Sequence, residues 1–302
     1  MSPPPWLWAA FTIVAAAAQT VRNAAQRELT AKLGTVGATH VRFLFGFPFS
    51  LLILAAVAAA TGGALTVPPL RFWPWAIDGA LAQILATALM LTAMGERSFV
   101  VAIAYIKTEP VQVALFGFVF LGDRLSLPTV VAILIATAGV VVMSLKPRAA
   151  AATRQSTWWP ALIGLASGAT FALSAIGYRG AILTLGDPNF VRAATLTVTL
   201  GLMMQTVLLS LYLAWRNAAV LRAIFRAWRP SMFAGFMGAV ASEFWFLAFA
   251  IATAASVRTL ALVEVLFAQA ISSFVFKQRL APREAIGIVL IVVGVGLLVW
   301  AY

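Results

Sequence analysis

The chain has 302 residues, 63% of them hydrophobic and only 10% charged, with a formal net charge of +12. A soluble domain is nearer half apolar and a quarter charged, so a soluble fold of this length could not cover so much apolar surface. The absence of cysteine excludes thiol catalysis, disulfides and Cys-ligated metal, and the single histidine, His40, argues against a His-rich metal site. The positive surplus is read as loops facing anionic lipid heads rather than as a nucleic-acid surface.

Ten apolar stretches follow one another along the chain, divided by Gly, Pro or charge, and predict ten transmembrane helices. They are residues 6–21, 38–60, 75–94, 98–121 and 128–145, then 158–178, 190–215, 231–252, 256–276 and 284–302. Residues 1–5 lack a basic region, so no cleavable signal peptide is expected. Trp6, Trp8, Trp73, Trp75, Trp158, Trp159, Trp228 and Trp300 cluster near the proposed ends, as an aromatic belt does.

A basic, Ala-rich linker at 146–157 divides the chain near its middle and invites a search for a repeat. A shift of about 155 residues sets Glu109 on Glu264, Arg124 on Arg279, Leu125 on Leu280 and Gly139 on Gly294. Val41-Arg42 meets Val191-Arg192 at a slightly smaller shift. Five spans per half force opposite insertion. The expected fold is therefore all-α and integral to the membrane: ten transmembrane helices as two inverted five-helix repeats, 1–150 and 151–302, with a site between the halves.

Glu109-Pro110-Val111, then Phe120-Leu121-Gly122-Asp123-Arg124-Leu125, then a helix containing Gly139, resembles the EamA-type repeat of the drug/metabolite transporter superfamily. Glu264-Val265, Phe276-Lys277-Gln278-Arg279-Leu280 and Gly287 with Gly294 resemble it again. Such motifs specify the superfamily and say little about substrate. Val265 replaces the second proline, so the ninth span is expected to bend less than the fourth. Asp123 and Gln278 stand where the family pattern has Glu.

Charge within the hydrocarbon region is costly and usually faces a cavity or a partner. Lys107, Glu109, Glu243 and Glu264 lie within spans and are the candidate substrate- or proton-binding residues, with Tyr105 and Trp245 as aromatic wall. Glu109 precedes Pro110, which removes a backbone donor and disturbs the preceding turn. Its alternative reading is a structural carboxylate bonded to a neighbouring helix. Glu243 has no counterpart under the shift, where Ala88 stands. A carboxyl group withdrawn from water can take up a proton, so Glu243 is a candidate proton carrier, or else a neutral group hydrogen-bonded in the bundle. Trp245 could offer its face to an ammonium group. Lys107 either pairs with Glu243 or Glu264 or holds a substrate carboxylate. Tyr105 and Glu109 are expected on one helix face. Glu109, Glu264 and Glu243 are expected to border one polar cavity short of positive charge. Arg42 and Arg192 open the second and seventh spans and are candidate gates, with snorkelling to lipid heads as the plainer reading. Gln19, Asn23, Arg258 and Gln269 are read, with His40, as packing or interface residues.

Lys and Arg concentrate after the odd-numbered spans, as at Arg216, Arg222, Arg226 and Arg229, whereas Arg71, Arg124, Arg179 and Arg258 follow the even ones. This bias places both termini outside the cytoplasm, although the resemblance implies termini inside. The functional expectation is a secondary transporter in the cell (inner) membrane. It would move an amino acid, amine or related cationic or zwitterionic solute by alternating access, with proton coupling or exchange open. The alternative is a membrane-embedded enzyme on a lipid-linked substrate. No GxxxxGK[ST] motif occurs. No cofactor, metal or nucleic-acid partner is expected, the partners being a small-molecule substrate and the lipid bilayer, and the protein is expected to be a monomer.

Overall fold

The computed structural model describes residues 3–62, 64–95, 105–144, 158–274 and 281–302. The linker 146–157, the start of the fourth span at 98–104, Arg97, and the 276–280 motif with Arg279 lie outside the described residues.

Among the described residues there are eleven α-helices and one π-helical turn. In chain order they are α1 (Leu7–Thr61), α2 (Phe72–Gly95), α3 (Glu109–Phe116) running into the π turn Gly117–Leu121, α4 (Leu127–Ser144), α5 (Trp158–Leu185) and α6 (Phe190–Arg216). Then come α7 (Ala218–Arg226), α8 (Trp228–Ile251), α9 (Ala254–Leu260), α10 (Val263–Phe274) and α11 (Pro282–Trp300).

The expectation of ten spanning helices in two inverted five-helix repeats is overturned. Among the described residues seven helices are long and apolar enough to cross a membrane: Glu28–Thr61, Phe72–Ala93, Leu127–Ser144, Ala161–Leu185, Phe190–Arg216, Trp228–Ile251 and Pro282–Trp300. The expected first and second spans lie in one helical run, Leu7–Thr61, interrupted only at Gly34, so no loop separates them. Arg, Gln, Glu and Lys are good helix formers, so charge there marks no break. The described part of the fourth span reduces to the short apolar stretch Glu109–Leu121. The ninth is divided between α9 and α10. Each of these pieces is shorter than the roughly 20 residues that a crossing needs.

A straight 55-residue helix would extend about 80 Å, well beyond the ~30 Å hydrocarbon core. Gly34, at φ 70° and ψ 174°, is the one residue within α1 with a non-helical backbone, a conformation open to residues without a Cβ. Gln26 Nε2 donates to the Ala38 carbonyl at 2.9 Å, atoms that a straight helix would hold about 18 Å apart. The chain therefore folds back at Gly34.

The chain forms two compact units, each drawing on both sides of the 146–157 linker. The first comprises residues 1–84 and 173–252, the second 85–172 and 253–302. In the first unit α1 packs along α8 and α6. A Cβ on Gly235 would lie 2.4 Å from that of Phe45, so this contact requires glycine. In the second unit α4 lies against α11, again through glycines. A Cβ on Gly139 would come within 2.8 Å of the Gly287 carbonyl, and one on Gly294 within 2.6 Å of the Ala136 amide. Small residues let backbones approach where lipid supplies no hydrophobic drive. Outward, Leu52, Leu85, Leu115, Phe118, Leu211 and Val289 are each more than half exposed, an apolar surface that lipid can cover.

Candidate functional site

In the second unit the fourth apolar stretch does not run as one helix. Lys107 and Thr108 form a turn, Thr108 N donates to the Tyr105 carbonyl at 3.1 Å, and α3 starts at Glu109. Pro110 is the physical cause. It has no N–H for the Ile106 carbonyl, and it is tolerated in a first turn, where no such bond is needed. That carbonyl faces Gly168, where a Cβ would sit 3.1 Å away. The turn separates two residues expected on one face: Glu109 is buried, whereas Tyr105 is 42% exposed. Farther on, Gly122 ends the π turn in the left-handed region at φ 68°, so the Leu-Gly-Asp motif is a helix stop.

The ninth stretch breaks too, although Val265 replaces proline. Thr253 caps α9 by accepting from Ser256 N at 3.3 Å, α9 ends at Leu260, and α10 restarts at Val263. The expected straighter helix is not found. Leu262 is instead pinned in an apolar core with Ala136, Val140 and Ile291.

Both breaks place an acid at a helix start, Glu109 and Glu264, where the helix dipole favours negative charge. Arg258 lies in the last turn of α9, where the dipole favours a cation. The charges pair crosswise. Arg258 donates through Nε to Glu109 Oε1 at 2.6 Å and through Nη2 to Oε2 at 2.7 Å, a two-pronged fork. Lys107 forms an ion pair with Glu264. Two cations thus meet two carboxylates in this unit, and the expected shortage of positive charge does not hold there. Arg258 is read from the sequence as a packing or interface residue and counted among the arginines after the even spans; its place inside the 256–276 stretch is the signal that points to an ion-pair role. Gln269 Nε2 lies 3.5 Å from Glu284 Oε2.

In the first unit Glu243 sits on α8, 6% exposed. Its Oε1 lies 2.5 Å from Thr195 Oγ1 on α6, and its buried Oε2 has no hydrogen-bond partner among the described residues. Thr195 Oγ1 also lies 2.8 Å from the Val191 carbonyl. Among the described residues Glu243 forms no ion pair. Trp245 is two residues on, roughly 200° round the helix. Its Nε1 donates to Gln19 Oε1 at 3.1 Å, and its ring stacks on Phe249.

Arg42 is buried at 2%, its Nη2 3.5 Å from Ser242 Oγ. Such burial does not fit snorkelling to a lipid head. Arg22, also 2% exposed, donates to Asn23 Oδ1 at 2.7 Å. Both stems close on Gly238, where a Cβ would lie 3.2 Å from Arg42 Cγ and 3.4 Å from Arg22 Cδ. His40 Nε2 and Ser210 Oγ are 3.0 Å apart. Arg192, in the first turn of α6, binds Asp187 through Nε at 3.2 Å and Nη2 at 3.0 Å. Burial alone would raise the Asp187 carboxyl. Hydrogen bonds from Arg192, the Asn189 amide and Thr66 outweigh it and hold the group below the usual carboxylate range.

Among the described residues no group of three or more His, Cys, Asp or Glu is placed to hold a metal ion. Residues 6–145 match the EamA-like transporter family. That match covers a little under half of the chain and makes its first half similar to EamA-like transporters. A protein of known crystal structure superposes on it with a TM-score of 0.68 at 15% identity, over 97% of this chain and 94% of the other. At that identity the likeness is one of fold. No curated protein matches the chain. Among the described residues seven helices are long and apolar enough to cross a membrane, which fits a multi-pass membrane chain whose residues 6–145 are similar to EamA-like transporters.

Proposed function

We propose that this protein is an EamA-type, proton-coupled secondary transporter of a small zwitterionic or cationic metabolite, with Glu243 as the proton-carrying group. The carrying observation is the arrangement at Thr195. Its hydroxyl has a single proton, yet Val191 O and Glu243 Oε1 both lie within hydrogen-bond distance. A neutral Glu243 that donates to Thr195, while Thr195 donates to Val191, satisfies both contacts. An ionised Glu243 would leave a buried charge with one oxygen unpartnered and no counter-ion among the described residues, a costly state. Gain and loss of that proton is the proposed coupling event.

The second unit plays a different part in this reading. Glu109 and Glu264 are fixed charges held by Arg258 and Lys107. A solute carrying both an ammonium and a carboxylate can exchange with such pairs without changing the local net charge. Trp245 and Tyr105 remain candidates for solute contact, and Arg42 and Arg192 for gating, with the Arg192–Asp187 pair as the opening element. Alternating access, a cell (inner) membrane location, non-cytoplasmic termini and a monomeric state belong to the same proposal.

The test is uptake by proteoliposomes, with and without an imposed pH gradient, across amino acids, amines and nucleosides. Wild-type protein should concentrate at least one of them under the gradient. Glu243→Gln should lose the gradient-driven component while keeping its fold. Equal gradient-driven uptake by the variant would refute the proton role.

A further inference from the structure

We propose that the segment from Trp215 to Arg229 is a binding site for the head groups of anionic phospholipids. This inference rests on the connector between two spans and is independent of the proton chemistry.

Helix α7 fills the short interval between Phe190–Arg216 and Trp228–Ile251, two helices able to cross the membrane. Its location follows from chain continuity. A helix joined directly to the ends of two spans lies at the membrane surface. One side is fastened to the protein. Ile224 is fully buried, a Cβ on Gly37 would lie 2.9 Å from Val220 Cγ1, and the Phe225 ring sits 6.2 Å from that of Phe45. The other side is basic: Arg216, Arg222, Arg226 and Arg229 are all exposed. Arg222 and Arg226, four residues apart, share a helix face. Nothing along the chain offsets them, since no Asp or Glu occurs between Asp187 and Glu243.

Aromatic rings accompany the charges. Trp215 is 83% exposed, Phe225 55% and Trp228 48%, and the Arg229 guanidinium lies 5.4 Å from the Trp228 ring centre. Tryptophan is enriched at head-group depth, and a short helix with a basic face beside exposed aromatics lies in the interface plane. Guanidinium forks match phosphate oxygens. Phosphate chemistry alone would also admit a soluble phosphate ester. The aromatic rings at the same level choose the lipid, because a free ester leaves them exposed to water.

The test uses the full-length protein in detergent with equal amounts of phosphatidylglycerol and phosphatidylcholine. Retained lipids are counted by native mass spectrometry and the melting temperature is measured with each lipid alone. Wild-type protein should retain phosphatidylglycerol preferentially and melt higher with it. Arg222→Gln/Arg226→Gln should lower that preference about 25-fold, at about fivefold per arginine, with unchanged melting in phosphatidylcholine. Arg71→Gln, an exposed arginine elsewhere, should behave as wild type. No lipid preference in wild-type protein, or the same preference in the double variant, overturns the proposal. An equal stabilisation by soluble glycerol phosphate also overturns it, in favour of a free-anion site.

Discussion

The two units treat buried carboxylates in opposite ways. In the second, Glu109 and Glu264 each meet a cation at a helix break, and Glu109 is gripped through both oxygens. In the first, Glu243 has a threonine hydroxyl on one oxygen and, among the described residues, no hydrogen-bond partner on the other. A carboxylate gripped by arginine through both oxygens fixes backbone geometry. One held by a single hydroxyl can change its charge state with little rearrangement. The contrast teaches that an acid inside a span is not by itself a functional signal. Its partners decide whether it is scaffold or chemistry.

The contrast can be broken first at Arg258. Arg258→Met leaves Glu109 buried without its fork and should cost about 3–5 kcal/mol, read as a large fall in melting temperature. The double variant Arg258→Met/Glu109→Gln should recover most of that loss. A double variant no more stable than the single would mean that the pair is not the local anchor.

A smaller effect is expected at the more exposed pair. The Lys107 side chain is 21% accessible, so water partly screens it. Lys107→Met should cost about 1–3 kcal/mol, the range for leaving a buried group unpaired, again relieved by adding Glu264→Gln. A loss as large as that at Arg258 would show that accessibility does not rank the two pairs.

Asp187 gives a pH-dependent comparison outside the spans. Its folded-state carboxyl is held below its ordinary value, so its stabilisation is complete above that value and fades as pH falls through the folded one. Asp187→Asn should cost about 1–2 kcal/mol near neutrality. Below about pH 4 the gap between wild type and variant should shrink. A gap that widened on acidification would reverse the sign argued here.

Glu243→Gln should have the smallest effect on stability, about 1 kcal/mol or less, because a neutral carboxyl and an amide differ little in shape and charge. The same substitution at Glu109 should be far more damaging. Similar melting temperatures for the two variants would erase the distinction between the units.

Hydropathy made most of the spanning helices legible, including α2, α4, α6, α8 and α11, because apolar length is what lipid demands. It did not show where the backbone turns. Charged residues at 22–32 suggested a loop, yet they continue a helix that reverses only at Gly34. Pro110 announced a disturbed helix, and the structure makes it a helix start. The break at 261–262 has no proline or glycine to mark it. It depends on tertiary packing around Leu262, which no local pattern records. The candidate acids were visible as isolated charges in apolar runs, but their partners were not. Arg258 and Thr195 lie far from Glu109 and Glu243 in sequence, and only the fold brings them together.

The central claim is that Glu243 alone among the three acids exchanges a proton, and infrared difference spectroscopy tests it most directly. The protein is carried through a pH titration while the carbonyl stretch of protonated carboxylic acid is followed. The account predicts a titrating band in wild type, in Glu109→Gln and in Glu264→Gln, and its loss in Glu243→Gln. A band that survives in Glu243→Gln, or disappears in Glu109→Gln, would contradict it.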